Sequence, residues 1–316
     1  MYKSPFFVIF RYKDLTMTHL GYACINMTLG KQKITTNRSM IKRTFLKEGI
    51  DRSSDLALQN VKDLVEIIKW NHKNGIKLFR LSSDIVPWAS EFNLSDMKDF
   101  EKFSNILRGA GTLATTYGQR ITTHPGPFNV LVSPNERVVQ NTITDLSNHG
   151  EIFDLMGLSR TPYNKINIHC NGVYGDKQSA MDRFCKNFEL LPESVQTRLT
   201  VENDDKASMY SVKDLMYIHE RIGIPIVFDY HHHTFNTGGL TEQEALELAM
   251  STWGDIKPVV HYSESRTLED ETAKPQAHSD FIYSKINTYG YDIDIVVEAK
   301  MKELTLMDYL SNFGTL

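Results

Sequence analysis

The chain has 316 residues, of which 41% are hydrophobic and 23% are charged, a composition that excludes disordered, collagen-like and disulfide-scaffold proteins. The net charge of −4 provides no global positive field, so a polyanionic ligand would need local basic patches or bound cations. Cys24, Cys170 and Cys185 form no CxxC pair, which argues against a disulfide framework and a cysteine zinc site. No apolar run is long enough to span a membrane. We therefore expect an intracellular protein in a reducing compartment.

Short apolar runs alternate with amphipathic stretches along most of the chain. Residues 1–16 precede the first run and are interpreted as an extension outside the fold, with one domain over 17–316. The predicted strands are His19–Ile25, Lys77–Leu81, Arg120–Thr123, Lys165–His169, Leu199–Glu202, Pro225–Asp229, Pro258–His261 and Asp292–Glu298. The predicted helices include Leu56–Trp70, Phe100–Tyr117, Glu136–Met156 and Val212–Ile222, with Gly75 and Gly223 as stop signals. Eight strands in strict alternation with helices predict an α/β fold, a single TIM-type (β/α)8 barrel.

The active site of such a barrel lies where its strands end. The polar residues at these predicted ends are Asn26, the turn Ser82–Asp84, His124, His169, Glu202, Asp229, His261 and Glu298. Unpaired carboxylates gathered at one rim would repel each other unless cations neutralised them, so we predict a metal cluster. Imidazole and carboxylate ligands without thiolate suit Mn²⁺, Mg²⁺, Zn²⁺ or Fe²⁺. Glu202, in the middle of the series, is placed to bridge two ions about 3.5–4 Å apart, a clamp used for displacement at phosphate.

The remaining histidines are weighed one by one, because a single histidine is more often a hydrogen-bonded structural residue than a ligand. His232 follows Asp229 by three residues, just past a strand, and is favoured as a ligand. His278 lies between the last two strands in an uninformative context, which predicts a surface residue. Four others fall in helices or at strand starts and are interpreted as structural: His19, His72, His149 and His219.

A basic segment follows the first strand, with no acidic residue between Lys31 and Lys47. Its members are Lys31, Lys33, Arg38, Lys42, Arg43 and Lys47. The composition fits a solvated loop as well as a phosphate-binding one, and its place at the barrel mouth favours the second interpretation. No GxGxxG, GxxxxGK[ST] or GxSxG pattern occurs, which disfavours nucleotide-cofactor chemistry and serine hydrolysis.

Several short patterns, in this order, resemble the UV-damage endonuclease family, UvdE or UvsE. They are Gly21-Tyr-Ala-Cys-Ile-Asn26, Thr35-Thr-Asn-Arg38, Phe79-Arg-Leu-Ser-Ser83, Thr123-His-Pro-Gly126, Val201-Glu-Asn-Asp204 and Val297-Glu-Ala-Lys300. The resemblance runs from about His19 to Lys302 and implies a TIM barrel related to endonuclease IV. It also implies two or three divalent ions, most often Mn²⁺, and cleavage of duplex DNA immediately 5′ of pyrimidine dimers and 6-4 photoproducts. Abasic sites are further expected substrates, and a metal-activated water would leave a 3′-hydroxyl and a 5′-phosphate.

The resemblance further implies which residues hold the ions and which carry the reaction. One ion would be held by His124, His169 and Glu202, a second by Glu202, Asp229, His261 and Glu298, and a third by His232 and His278. This raises His278 from a surface residue to a ligand. The implied catalytic residues are Glu202, His232 and Glu298. We expect a monomer that acts on damaged double-stranded DNA, with no membrane and no nucleotide cofactor.

On the DNA side, Tyr22 and Asn26 match family residues that face the damage, although packing of the first strand would also explain them. Where many members carry Gln-Tyr after His-Pro-Gly, this chain has Pro127 and Phe128, which keep an aromatic wedge. Asp84 and Val259 also depart from the family pattern, and both changes bear on the third metal position. Two alternatives stay open: a divalent-metal sugar isomerase or epimerase on the same type of barrel, and a non-catalytic DNA-binding module.

Overall fold

The structure is a computed structural model that describes residues 18–316. Its eight parallel strands are β1 (Leu20–Ala23), β2 (Leu78–Leu81), β3 (Arg120–Thr123), β4 (Ile166–His169), β5 (Leu199–Glu202), β6 (Ile226–Val227), β7 (Val259–Tyr262) and β8 (Asp294–Val297). The hydrogen-bonded order is β6-β5-β4-β3-β2-β1-β8-β7, so neighbours in the sheet are neighbours in sequence except where the first strand, β1, pairs with the last, β8. The predicted extension, residues 1–16, lies outside the described residues.

The two ends of this sheet meet at a single parallel bridge between Asp229 and His261. The backbone amide of His261 donates to the carbonyl of Phe228 at 2.9 Å. Strand β6 is shorter than predicted because Asp229 already caps the next helix, accepting a hydrogen bond from the amide of His232. The predicted TIM barrel is confirmed, and its seam lies at two of the predicted metal ligands.

Helices cover the outside of the barrel. They are α1 (Met27–Gly30), α2 (Lys42–Lys73), α3 (Phe100–Thr116), α4 (Glu136–Leu155), α5 (Lys177–Phe188), α6 (Glu193–Gln196), α7 (Val212–Ile222), α8 (Tyr230–Phe235), α9 (Glu242–Met250) and α10 (Glu303–Phe313). Strict alternation is wrong between β7 and β8, where residues 263–293 contain a single 3₁₀ turn, Arg266–Leu268, and no α-helix. The Glu264 carboxylate holds this segment by accepting hydrogen bonds from the amides of Tyr283 and Ser284.

Helix α2 begins earlier than the hydrophobic pattern predicts. Gly49, at φ 65°, interrupts it, and the turns before Gly49 contain Lys42, Arg43 and Lys47. The basic segment is therefore partly helical, which corrects its interpretation as a loop. Gly75 and Gly223 both have φ 73° and follow helices, as predicted, because this backbone conformation favours a residue without Cβ.

A charged cluster closes the amino-terminal end of the barrel. Arg120 and Asp294, 1% and 2% exposed, are paired at 3.0 Å between Nη1 and Oδ2. His19 and Lys257 lie within 3.2 Å and 3.0 Å of the other Asp294 oxygen. These residues sit at strand starts, opposite the active-site face, where buried charge serves stability. Among residues 18–316, none of the helices combines the length and apolar character needed to cross a bilayer.

Candidate metal centre and DNA-facing loops

Glu202, the last residue of β5, is the centre of the cluster at the carboxyl ends of the strands. It is 1% exposed. Its Oε2 atom lies 3.2 Å from Nε2 of His124 and 3.1 Å from Nδ1 of His261. Its Oε1 atom lies 3.8 Å from Nε2 of His169 and 3.5 Å from Nδ1 of His232. One carboxylate thus faces four imidazole rings from four different barrel segments.

Two groups of ligand atoms have the spacing of metal sites. In each group the candidate ligand atoms lie within 4.8 Å of one another, and the groups are His124, His169 and Glu202, and Glu202, Asp229 and His261. Glu202 belongs to both, as its bridging position in the sequence predicts. Among the described residues, several buried atoms at this place have no hydrogen-bond partner, including Asp229 Oδ2, His169 Nδ1 and His261 Nδ1. Because such atoms are costly to bury without a partner, the residues present fit divalent cations.

Glu298, at the end of β8, extends the cluster toward β2. It forms an ion pair with Arg80, and its Oε1 atom lies 3.1 Å from His261 Nδ1. His278, from the segment between β7 and β8, places Nδ1 3.8 Å from Glu298 Oε2. The structure therefore brings His278 to the cluster and corrects its interpretation as a surface residue.

The ionisation of the carboxylates follows from burial and neighbouring charge. Burial opposes ionisation of Glu298, but Arg80 and His261 outweigh it and hold the pKa of Glu298 well below its ordinary value. Burial similarly opposes ionisation of Glu202, and His261 and His169 outweigh it and lower its pKa. Burial, together with the charges of Glu202 and Glu298, raises the pKa of Asp229 to about 7 despite nearby His232. A bound cation would favour the ionised form of all three.

Other groups of the protein also contact the imidazole rings of the cluster. His124 Nδ1 lies 3.0 Å from the Pro125 carbonyl oxygen, and His232 Nδ1 lies 2.9 Å from that of Asn203. The His169 ring faces the Asp204 carboxylate. Such outer partners fix which ring nitrogen is free for an ion. Sequence reasoning assigned no role to four contacting residues: Arg80 and Asp204, which lie within two of the quoted patterns, and Lys165 and Asn167, whose only signal was a polar side chain in or beside a buried strand.

The comparisons with known proteins agree with this architecture. Residues 18–316 match the family model of the UV-endonuclease UvdE. The UV-damage endonuclease of Schizosaccharomyces pombe is 36% identical over 305 residues, which cover 92% of this chain and 49% of that protein. The UV DNA damage endonuclease of Bacillus mycoides is 31% identical, with 87% of each chain covered.

The chain belongs to the UvdE family. A solved structure titled "Crystal Structure of SacUVDE" superposes with a TM-score of 0.81 at 32% identity, covering 95% of this chain and all of that one. Family membership supports a DNA repair endonuclease that acts on UV damage. The chain spans about half the length of the S. pombe relative. A 3-keto-D-glucoside 4-epimerase from E. coli, with a TM-score of 0.57 at 10% identity, shares the fold alone.

Within this UvdE chain, Tyr22 and Asn26 do not face the barrel mouth. Tyr22 is 0% exposed and donates a hydrogen bond to Asn71 at 2.7 Å. Asn26 is 1% exposed, donates to the Tyr22 hydroxyl and caps α1 through the amide of Leu29. The contacts of β1 with α2 and α1 account for the burial of both residues, and the expectation that they contact DNA stays a prediction.

The residues of the basic segment differ in whether they contact the protein or the solvent. The Arg38 guanidinium binds the Asp63 carboxylate at 2.7 Å and the Thr35 carbonyl at 2.6 Å. Arg38 therefore holds its own loop in place, and the expectation that it also contacts a phosphate stays a prediction. Lys31 and Lys33 are exposed on the preceding turn.

The loop after β3 presents the most exposed large apolar side chain of the described residues. Phe128 is 86% exposed and Pro127 beside it is exposed. Phe128 borders a cavity of about 430 Å³ that is also lined by Asp84, Asp145 and His149. Asp84 thus lines this cavity and belongs to neither group of candidate ligands. Val259 is buried within an apolar cluster next to Trp253.

The histidines interpreted as structural lie outside the metal cluster. His72 stacks on Tyr117 with ring centroids 3.8 Å apart. His219 places Nδ1 3.0 Å from the Ile224 carbonyl oxygen. His149 lies beside the Asp145 carboxylate and His19 beside Asp294. Each of these rings thus contacts a residue outside the candidate ligand groups, as expected of a structural histidine.

Proposed function

We propose that this protein is a metal-dependent endonuclease that nicks duplex DNA immediately 5′ of UV photoproducts and also cleaves at abasic sites. The ends left would be a 3′-hydroxyl and a 5′-phosphate. The observation that carries the proposal is the pair of ligand groups sharing Glu202 at the mouth of a UvdE barrel. The proposed cofactor is two or three divalent ions, with Mn²⁺ first among Mn²⁺, Mg²⁺, Zn²⁺ and Fe²⁺.

Ions bound there would lower the pKa of a coordinated water and neutralise charge that develops on the phosphate oxygens. The protein supplies the geometry. Glu202 holds both ligand groups together, while Glu298 and His232 are the proposed catalytic neighbours. The third site, at His232 and His278, is proposed on the contacts of His232 with Glu202 and of His278 with Glu298.

The substrate groove would run across the same face. Lys31 and Lys33 are proposed to contact the DNA backbone, and Pro127 and Phe128 to press against the duplex beside the lesion. An aromatic ring can stack on a base whatever its sequence, so Phe128 suits a probe of distorted DNA. We also propose that the protein acts as a monomer. Cys24, Cys170 and Cys185 are free, which is consistent with the reducing compartment that holds the DNA.

The test uses UV-irradiated and intact supercoiled plasmid, each with chelator and then with one of the four metal ions. We expect the irradiated plasmid alone to become nicked, and chelator to prevent it. An end-labelled duplex with one photoproduct maps the cut, and sealing of the nick by DNA ligase reports the 3′-hydroxyl and 5′-phosphate. Irradiated plasmid that stays supercoiled with every ion would contradict the proposal, and turnover of ketohexoses instead would favour the epimerase.

A further inference from the structure

Lys165, immediately before β4, is a fully buried lysine whose role is not explained by the contacts described so far. Its side chain is 0% exposed. Within the described residues, its Nζ atom has one hydrogen-bond partner, Nε2 of His261, at 2.9 Å. Lysine is almost never fully buried unless it is paired. The interior of the barrel therefore holds this side chain against one ring.

His261 differs from the other rings of the cluster in what its nitrogens contact besides the carboxylates of Glu202 and Glu298. His124, His232 and His278 each place Nδ1 within 3.1 Å of a backbone carbonyl oxygen. The His169 ring faces a carboxylate, with Nδ1 3.3 Å from Asp204. Among the described residues, no oxygen is hydrogen-bonded to Nε2 of His261, and Lys165 Nζ is the partner of that atom instead.

The opposite edge of the His261 ring faces the carboxylates. Nδ1 lies 3.1 Å from Glu202 Oε2 and 3.1 Å from Glu298 Oε1, and no residue from 18 to 316 forms a hydrogen bond with it. The ring is thus clamped between a lysine on one edge and two candidate ligands on the other. Rotation about its Cβ–Cγ bond would separate Lys165 from Nε2 and turn Nδ1 away from both carboxylates.

We propose that Lys165 is a positioning residue of the metal centre: its neutral amine accepts a hydrogen bond from Nε2–H of His261, which leaves the Nδ1 lone pair for the ion shared with Glu202 and Asp229. This inference rests on the proposed metal-dependent function. In this arrangement Lys165, just before β4, orients the candidate ligand His261 on β7. Outer partners of metal-binding histidines typically change metal affinity by about 10- to 100-fold when removed.

The experiment measures Mn²⁺ binding to metal-free protein by isothermal titration calorimetry, without DNA. Lys165→Met keeps the apolar stem and removes the nitrogen. We expect the affinity of one site to fall by about 10- to 100-fold, while the site built on His124 and His169 is retained. Lys77→Met is the matched control, because Lys77 also immediately precedes a strand but donates to the Tyr117 carbonyl. It should bind Mn²⁺ like the wild type.

A double-mutant cycle separates positioning from a general structural effect. In a His261→Gln background, Lys165→Met should cause no further loss of Mn²⁺ affinity. An equal loss in both backgrounds, or wild-type affinity in the single variant, would overturn the proposal. If Lys165→Met does not fold, Lys165→Gln and the ¹⁵N signals of the His261 ring provide the same comparison. Absence of Mn²⁺ binding by the wild type would instead contradict the proposed function.

Discussion

His169 Nδ1 lies 3.3 Å from the Asp204 Oδ1 atom, while its Nε2 atom points toward Glu202 at 3.8 Å. A carboxylate behind a ligand histidine fixes the ring and increases its basicity. Burial lowers the pKa of His169, but Glu202 and Asp204 outweigh it and raise that pKa to about 10 in the absence of ions. A cation must therefore replace a proton on this ring.

Asp204→Asn should weaken Mn²⁺ binding at this position by about 10- to 100-fold, because the ring loses its charged partner. It should also lower the pKa of His169, measured by NMR titration of the metal-free protein. Asp205→Asn, at the adjacent residue, is the control and should change neither quantity. Unchanged Mn²⁺ affinity in Asp204→Asn would remove Asp204 from the site.

Glu202→Ala should abolish nicking and leave the fold intact, because a bridging carboxylate anchors two ions at once. We expect a loss greater than the roughly 100-fold seen for outer partners, with an unchanged circular dichroism spectrum. Glu193→Ala, whose side chain is 75% exposed in a surface ion pair, serves as the control. Activity near the wild-type level in Glu202→Ala would exclude Glu202 from the mechanism.

Phe128→Ala should weaken binding to damaged duplex by about 1–3 kcal/mol, the range for one aromatic side chain that stacks on a base. Fluorescence anisotropy with a photoproduct-containing duplex measures this change. Leu190→Ala removes another exposed apolar side chain, 59% exposed on the segment that leads to the start of β5, and should not alter affinity. Equal affinities for all three proteins would show that Phe128 does not contact DNA.

Replacing Lys31 and Lys33 together by alanine should reduce the salt dependence of DNA binding. If each lysine neutralises one phosphate, the slope of log K against log salt should decrease by about 0.9 for each one removed. Lys102→Ala, an exposed lysine on α3, is expected to leave the slope unchanged. The same slope in the double variant would place the DNA elsewhere.

Protonation of Asp294 at acid pH should lower the free energy of unfolding of the protein. Burial opposes its ionisation, but His19, Arg120 and Lys257 outweigh it and lower its pKa from 3.8 to about 2. A lowered carboxyl pKa contributes stability that is present above about pH 4 and is lost as pH falls toward 2, and this shift corresponds to about 2 kcal/mol. Urea unfolding of metal-free protein between pH 7 and pH 2 measures this loss.

Asp294→Asn should destabilise the protein by about 3–5 kcal/mol at pH 7, because it leaves Arg120 buried without its charged partner. The free energies of unfolding of the variant and the wild type should become more similar below pH 3, because Asp294 of the wild type is then becoming protonated. Asp292→Asn removes a carboxylate that is 43% exposed and pairs with the same Lys257, and should cost less than about 1 kcal/mol. A pH-independent difference between Asp294→Asn and the wild type would refute this assignment.

The sequence by itself determined the barrel and most of the candidate metal ligands at its rim. Alternating apolar runs and amphipathic stretches specify parallel strands between helices, and a residue that follows a strand must lie at one face of a parallel barrel. His124, His169, Glu202, Asp229 and His261 could therefore be assigned together before any coordinates. Periodicity could not show the helical turns before Gly49, because they bury little apolar surface.

Only the tertiary structure decided the residues whose roles depend on distant partners. Tyr22 and Asn26 lie in and just after β1, where the sequence predicts the rim of the barrel. In the structure, Tyr22 is hydrogen-bonded to Asn71 on α2 and Asn26 to Leu29 on α1, and both side chains are buried. In the sequence, Lys165 is only a charged residue before a strand. In the fold, its Nζ atom lies 2.9 Å from Nε2 of His261 on β7. Contacts of this kind join elements that are far apart in the chain. Local sequence patterns cannot predict them, because they do not specify which side chains contact each other across the barrel.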